Sequence, residues 1–291
     1  MEKRASMKSC AKNRLSRVRD YMTNIFFIIG CARSGTTAIT KILSTANNAE
    51  LYVEETPKLC LEARDLYKGD LEKAEKVLKE AKEKRIKETT GRGIIYGDKN
   101  PNYLPFIPHL ELLWQPKFIF IVRDGREVVR SLMDWHEISE GNIFGMSEDE
   151  EGSTITSPKE DWWDYSRLRP NPGEPYSGQW KTLSRFEKCS WYWNKFNLLM
   201  LDYASKLDKE RWRLININKT TAEDFEEIFD FLGLRGFNID KIDTMLNTSI
   251  NSATDRGGIS KEFPRWDNWS EEQTKIFDKH SGDLMKRLGF S

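Results

Sequence analysis

Residues 25–39 read IFFIIGCARSGTTAI, and this stretch decides the fold. Its first five residues are β-branched or aromatic and end at Gly30, which predicts a short, buried, parallel strand. A helix is expected from Thr36 to Thr45, with Ile39 and Ile42 on its core face. The order of strand, glycine-containing loop and helix points the free N–H groups of the first helical turn at the loop. An anion is therefore expected to bind there.

The same arrangement recurs later in the chain. KFIFIV at residues 117–122 predicts a second buried strand, and the residues after it, RDGREVVRSLMDW, predict a helix. Residues 185–207 read as a long helix, and RLINI at 213–217 as a further strand. A Lys- and Glu-rich run from Tyr67 to Thr89 is typical of an exposed helix with solvated charges. Strands that alternate with helices predict an α/β fold: one P-loop-like domain with a central parallel sheet, flanked by helices on both faces.

Composition sets limits on location and partners. The chain has 291 residues, with 46 Lys plus Arg against 46 Asp plus Glu, so no overall charge favours nucleic acid or an anionic membrane. We expect a basic tail over residues 1–24 and one domain over residues 25–291. The apolar run at its start is far too short to span a bilayer. Four cysteines without metal-like spacing favour reduced thiols and a cytoplasmic location.

The loop departs from the pattern of nucleoside triphosphatases, GxxxxGK[ST], in an informative way. Thr36 stands where that pattern has its lysine, and the cation of this loop is Arg33. The second strand ends in Arg123 rather than in an acidic residue that would hold magnesium. Metal-dependent triphosphate chemistry is therefore disfavoured, and no metal is expected.

Two motifs resemble a known family. ARSGTT is similar to the 5'-phosphosulfate loop of sulfotransferases that use 3'-phosphoadenosine 5'-phosphosulfate (PAPS), and IFIVRDGREVVRS at 119–131 resembles their 3'-phosphate motif. The resemblance implies that Arg123 and Ser131 hold the 3'-phosphate, as an arginine fork and a hydroxyl can do. It also implies that the 5'-phosphosulfate lies against the loop residues, namely Arg33, Ser34, Gly35, Thr36 and Thr37.

A third segment near the C-terminus is similar to the family's closing segment, although less closely. It contains a basic, glycine-containing loop followed by an aromatic residue and a terminal helix. By this resemblance Arg256, Gly257 and Gly258 contact the 3'-phosphate, because glycines let backbone N–H groups approach an anion closely.

The residues expected to catalyse the reaction come from two further motifs. GDKNPNYL at 97–104 resembles a motif of tyrosylprotein and carbohydrate sulfotransferases, which implies that Lys99 is a second cation on the leaving oxygen. The first is Arg33, at the loop position where relatives carry lysine or arginine. VEETPK resembles the EET stretch of tyrosylprotein sulfotransferases, in which the second glutamate is the base. That places the base at Glu55, with Glu54 as the alternative because the spacing differs by one residue.

Three features leave questions open. Ala38 stands where cytosolic members carry the aromatic residue that stacks on adenine, so Trp266 or Phe263 is a candidate platform. The acidic dipeptide usual after the strand matched by RLINI is replaced by Asn218 and Lys219. The histidines at 109 and 136 stand in no motif equivalent to the histidine base of cytosolic members.

The acceptor is expected to be a small molecule, a sugar or a peptide, and its binding region is the stretch 137–180. This stretch is acidic and aromatic, and Trp162, Trp163 and Tyr165 could stack on a sugar ring or a planar cation. The alternative is that these aromatic residues belong to the core. Two other functions stay open: a P-loop kinase of small molecules, and a nucleotide-binding module without catalysis.

Overall fold

The computed structural model describes residues 24–55, 57–138, 144, 165–246 and 263–290, except for the side chains of residues 135–138. The strands are β1 (Ile25–Gly30), β2 (Ala49–Val53), β3 (Ile95–Lys99), β4 (Lys117–Val122) and β5 (Trp212–Asn216). The helices are α1 (Thr36–Leu43), α2 (Cys60–Lys68), α3 (Ala74–Leu78), α4 (Lys84–Gly91), α5 (Ile107–Trp114), α6 (Gly125–Ile138), α7 (Arg185–Lys206), α8 (Asp224–Leu232), α9 (Ile239–Leu246) and α10 (Glu271–Arg287). A π-helical segment, Lys79–Glu83, joins α3 to α4.

The five strands form one parallel sheet in the order β2-β3-β1-β4-β5. This confirms the predicted α/β fold with a central parallel sheet. The chain runs from β1 at the centre to the edge strand β2, returns through β3, and then crosses to β4 and β5. The connection after β1 therefore runs toward β2 and the connection after the neighbouring β4 runs the opposite way toward β5, and in such sheets the crevice at the carboxyl ends of the strands is where ligands bind.

The central strand β1 explains why both faces of the sheet are covered. All six of its residues are buried. Phe27 and Ile29 pack into the core with α6 and α7, while Phe26 and Ile28 pack into the core with α1 and α8 on the opposite face. Successive side chains of a strand point to opposite faces, so only a wholly apolar run suits this position. β4 follows the same rule.

The predicted exposed helix from Tyr67 to Thr89 is wrong in its bounds and partly in its exposure. α2 ends at Lys68, and Gly69 follows with a φ of 83°, a left-handed conformation that suits glycine and stops the helix. The helical segment that follows runs from Ala74 to Gly91 through the π-helical turn. Lys82 in that turn is buried instead of solvated, and it pairs with the carboxylate of Asp98 in β3.

No helix among the described ranges is long and apolar enough to cross a membrane.

Candidate functional site

The loop after β1 is tightly folded over the end of the strand. Arg33 and Gly35 have φ angles of 68° and 88°, and the Ser34 N–H donates to the Cys31 carbonyl oxygen at 3.0 Å. A Cβ atom on Gly30 would lie 2.7 Å from Thr36 Cγ2, and one on Gly35 would lie 2.2 Å from Ile217 Cδ1. Gly30 is therefore required by close packing, and Gly35 is favoured by its positive φ.

The loop leaves polar groups available at the start of α1. α1 begins at Thr36, and no side chain caps its first N–H groups. The Ser34 hydroxyl is buried and has no hydrogen-bond partner. Thr36 is also buried, and Thr37 is partly exposed. Uncapped N–H groups at a helix N-terminus beside a buried hydroxyl are suited to an anion.

Arg33, Ser131 and Arg123 meet in space although they come from three parts of the sequence. Arg33 Nε donates to Ser131 Oγ at 2.9 Å, which links the loop to α6. Arg123 donates through Nη1 to the Arg33 carbonyl oxygen at 3.2 Å and through Nε to Glu127 Oε2 at 2.7 Å. Arg33, predicted to bind the 5'-phosphosulfate of PAPS, is thus a neighbour of Arg123 and Ser131, which are predicted to bind its 3'-phosphate.

The turn that carries Arg123 is fixed from behind by α7. Trp193 is fully buried and donates through Nε1 to the Arg123 carbonyl oxygen at 3.2 Å. A Cβ atom on Gly125 would lie 2.8 Å from the Trp193 ring, so only glycine fits. Asn218 Oδ1 accepts from the Asp124 N–H at 2.9 Å. Asn218 therefore also holds the turn that carries Arg123.

Lys99 and Glu54 form the second part of the site. Lys99 ends β3, its side chain is 5% exposed, and its ammonium pairs with the Glu54 carboxylate, which is 20% exposed. Glu54 has a φ of 50°, and its backbone N–H donates to the Lys99 carbonyl oxygen at 2.9 Å. Left-handed backbone at a non-glycine residue is costly and is often found at functional sites.

Glu55 lies in a different environment. Its carboxylate is 42% exposed and pairs with Arg85, which is 49% exposed and lies over the Tyr52 ring. The two neighbouring glutamates therefore differ in burial and in the cation that each meets.

A buried polar cluster, missed by the sequence analysis, lies under the end of β3. Asp98 Oδ2 accepts from the hydroxyls of Tyr96 and Tyr103, both at 2.7 Å, and lies 3.1 Å from Lys82 Nζ. Burial raises the pKa of both tyrosines well above the ordinary range, so their hydroxyls stay protonated donors. Nothing distinguishes Lys82 in the sequence from the other lysines of its Glu- and Lys-rich run.

The aromatic candidates are placed differently from one another. Tyr165 lies against cations, with Arg64 Cζ 5.9 Å and Lys68 Nζ 5.7 Å from its ring centroid. Trp266 is 40% exposed. Arg126, the second residue of α6, places its Cζ 4.2 Å from the centroid of the Trp266 ring. Phe263 stacks on Phe186.

Several predicted residues lie outside the described residues. They are Trp162, Trp163, Arg256, Gly257, Gly258 and the side chain of His136. His109 is described, and its Nδ1 lies 2.5 Å from Glu75 Oε1. Within the described ranges, no group of three or more His, Cys, Asp or Glu side chains could hold a metal ion.

Part of the chain matches the model of one known protein family. Residues 26–164 match the model of the sulfotransferase family, a stretch that includes the loop, Glu54, Lys99, Arg123 and Ser131. The match supports a sulfotransferase enzyme. It does not distinguish the tyrosylprotein and carbohydrate branch, which stays a prediction. None of the curated proteins compared with the chain matches it.

Solved sulfotransferase structures are similar over most of the chain. A mouse sulfotransferase, solved in complex with PAP, shares 14% identity at a TM-score of 0.49, over 92% of this chain and 86% of the other. A sulfotransferase from Alicyclobacillus acidocaldarius shares 14% identity at a TM-score of 0.45, over 91% and 96%. One from Mycobacterium avium shares 11% identity at a TM-score of 0.45, over 92% and 77%.

Proposed function

We propose that the protein transfers the sulfuryl group of PAPS to a hydroxyl or amine of an acceptor and releases 3',5'-ADP. One observation carries this proposal. A lysine-free phosphate loop, an arginine and serine pair, and a buried lysine and glutamate pair meet at the carboxyl edge of one sheet. A P-loop kinase would need the loop lysine and a magnesium site.

PAPS would bind across the group formed by Arg33, Ser131 and Arg123, with its 5'-phosphosulfate and its 3'-phosphate held by different residues. The N–H groups of α1, the Thr36 and Thr37 hydroxyls and Arg33 would bind the 5'-phosphosulfate. Arg123 and Ser131 would bind the 3'-phosphate. The Arg33 side chain donates to Ser131 Oγ, so the bound donor would replace a hydrogen bond within the protein.

The C-terminal loop is proposed to complete the 3'-phosphate site through Arg256, Gly257 and Gly258. Support comes from the described residue that follows this loop. Phe263 is held on α6 by Arg130 Nε, which donates to its carbonyl oxygen at 3.1 Å, and by Asp134 Oδ1, which accepts from its N–H at 2.5 Å. These α6 residues flank Ser131 in sequence, so the loop has a fixed end beside the proposed phosphate site.

The transfer itself needs one base and cations on the leaving oxygen. The acceptor O–H or N–H would lose its proton to a glutamate while its oxygen or nitrogen bonds to sulfur. The bond from sulfur to the bridging oxygen would break in line, and Lys99 and Arg33 would stabilise the charge left on that oxygen. Glu55 and Glu54 are the two candidates for the base. The contact with buried Lys99 favours Glu54.

Glu54→Gln is expected to lower kcat for transfer from PAPS by about a hundredfold or more, because a positioned general base contributes on this scale. Binding of 3',5'-ADP should be retained. Glu55→Gln is the matched variant and is expected to stay within about threefold of the unchanged enzyme, because its carboxylate pairs with an exposed arginine. The measurement is transfer of label from PAPS to a panel of phenols, sugars, peptides and amines. A larger loss of kcat in Glu55→Gln than in Glu54→Gln would assign the base to Glu55. If both variants keep their kcat, neither glutamate is the base.

The acceptor is proposed to bind at the stretch 137–180, through Trp162, Trp163 and Tyr165. Trp162→Ala and Trp163→Ala should raise KM for the acceptor by about tenfold, since loss of one stacking contact is worth roughly 1 kcal/mol or more. The KM for PAPS should stay the same. Unchanged acceptor kinetics in both variants would place these tryptophans in the core instead.

The cytoplasm stays the proposed compartment. Cys31, Cys60 and Cys189 are buried and are in the thiol form. Burial raises the pKa of the Cys31 and Cys60 thiols to about 12, so they stay protonated and unreactive.

A further inference from the structure

Two asparagines after β3 hold the segment that follows Glu54. The Lys58 carbonyl oxygen accepts from Asn100 Nδ2 at 2.9 Å and from Asn102 Nδ2 at 3.0 Å. Both asparagines are buried, at 1% and 6% exposure. A carbonyl oxygen has two lone pairs, so these two amides saturate it. We call this arrangement the amide clamp.

The orientation of the clamp is fixed by its other contacts. The Asn100 side-chain oxygen accepts from the Asn102 backbone N–H at 2.9 Å, which caps the 3₁₀ turn Pro101–Phe106. Because that oxygen is taken, the NH₂ group of Asn100 must face Lys58. Asn102 Nδ2 also lies 3.1 Å from Cys60 Sγ at the start of α2.

The clamp matters because the same segment is tied to β3 at its other end. The Glu54 N–H donates to the Lys99 carbonyl oxygen at 2.9 Å. The segment from Glu54 to Lys58 is thus attached twice to the chain around Lys99. Glu54, its first residue, and Leu59, which follows it, have φ angles of 50° and 58°, a strained backbone that persists only where surrounding contacts impose it.

We propose that Asn100 and Asn102 are positioning residues, whose amide clamp holds the Glu54 carboxylate in register with the Lys99 ammonium for the transfer step. The inference rests on the proposed function, and it assigns a role to the KNPN sequence beyond its lysine. The clamp touches neither the donor site nor the reacting atoms, so its effect passes through Glu54.

Asn102→Leu tests this inference, because leucine keeps the volume and removes the amide donor. We expect kcat to fall by about three- to tenfold, the scale of one lost hydrogen bond, while the Kd of 3',5'-ADP stays within twofold. Asn102→Ser, a smaller change, is measured alongside and is judged by the same outcomes should the leucine variant fail to fold. The matched control is Asn48→Ala. The Asn48 side chain donates to the Gly233 carbonyl oxygen and accepts from the Arg235 N–H, at the opposite end of the sheet. This variant should leave kcat unchanged.

A double variant separates positioning from a general structural role. If the clamp acts through Glu54, adding Asn102→Leu to Glu54→Gln should lower kcat no further. Equal losses of kcat in the two backgrounds would overturn the inference, as would a fall in nucleotide affinity that matches the fall in kcat. If the unchanged enzyme transfers no label from PAPS at all, the proposed function fails. Full activity of Asn102→Leu in an active enzyme refutes only the clamp.

Discussion

Lys99→Met is expected to lower kcat for sulfuryl transfer by about a hundred- to a thousandfold, the range found when a preorganised charge-stabilising group is removed from an active site. The Lys99 side chain is 5% exposed, so its ammonium acts where water screens little. Methionine has a similar length and an apolar body, and it can fill the buried space. The Kd of 3',5'-ADP should change much less than kcat, because the charge on the leaving oxygen develops in the transition state.

Lys117→Met is the matched control for this variant. Lys117 is also partly buried and donates to the Phe231 carbonyl oxygen, but it begins β4 and so lies at the opposite end of the sheet from the carboxyl ends of the strands. Its replacement removes a comparable charge and should leave kcat within about threefold. A Lys99→Met enzyme that keeps kcat within the same range would remove Lys99 from the proposed chemistry.

Arg123→Met is expected to raise the Kd of 3',5'-ADP by about a hundredfold, since hydrogen bonds to a charged group contribute up to about 3 kcal/mol. The Kd of 5'-AMP, which lacks the 3'-phosphate, should change by less than about threefold. This comparison is needed because Arg123 also donates to the Arg33 carbonyl oxygen, so its removal can disturb the loop. Disturbance of the loop alone would weaken both nucleotides alike.

Arg213→Met is the matched control for Arg123. Arg213 lies on the edge strand β5, with its Cζ 4.2 Å from the centroid of the Phe231 ring. Its replacement removes one arginine without touching the proposed site and should leave both dissociation constants unchanged. Equal losses of affinity for 3',5'-ADP and 5'-AMP in Arg123→Met would contradict the assignment of Arg123 to the 3'-phosphate.

The sequence was sufficient to predict the centre of the sheet. β1 is a continuous apolar run, and β4 is one from Phe118 onward, because these residues are buried on both faces of the sheet. β2 and β3 were not predicted. β2 is a partly exposed edge strand, and β3 contains Gly97, Asp98 and Lys99, which weaken any strand pattern.

The reasons for those residues in β3 lie far away in the sequence. A Cβ atom on Gly97 would lie 2.5 Å from the Phe26 ring, so the neighbouring strand requires glycine. Asp98 and Lys99 can be buried only because Lys82 and Glu54 supply their countercharges. A single sequence does not show which charged residues will pair.

The same limit applies to the two glutamates. A motif places EET near the site, but the left-handed backbone at Glu54 decides which carboxylate turns toward Lys99. The loop residues were easier to identify, because strand, glycine loop and helix are contiguous and their geometry is local.

The unfolding temperature with saturating 3',5'-ADP, compared with that in ATP and magnesium, tests the central claim most directly. Ligand at a hundred times its Kd adds about 2.7 kcal/mol of stability, so 3',5'-ADP should raise the unfolding temperature by about 5 °C. ATP with magnesium should raise it little, because the loop has no lysine for the terminal phosphates. A rise with ATP and magnesium but none with 3',5'-ADP would contradict a PAPS-dependent sulfotransferase and favour a kinase.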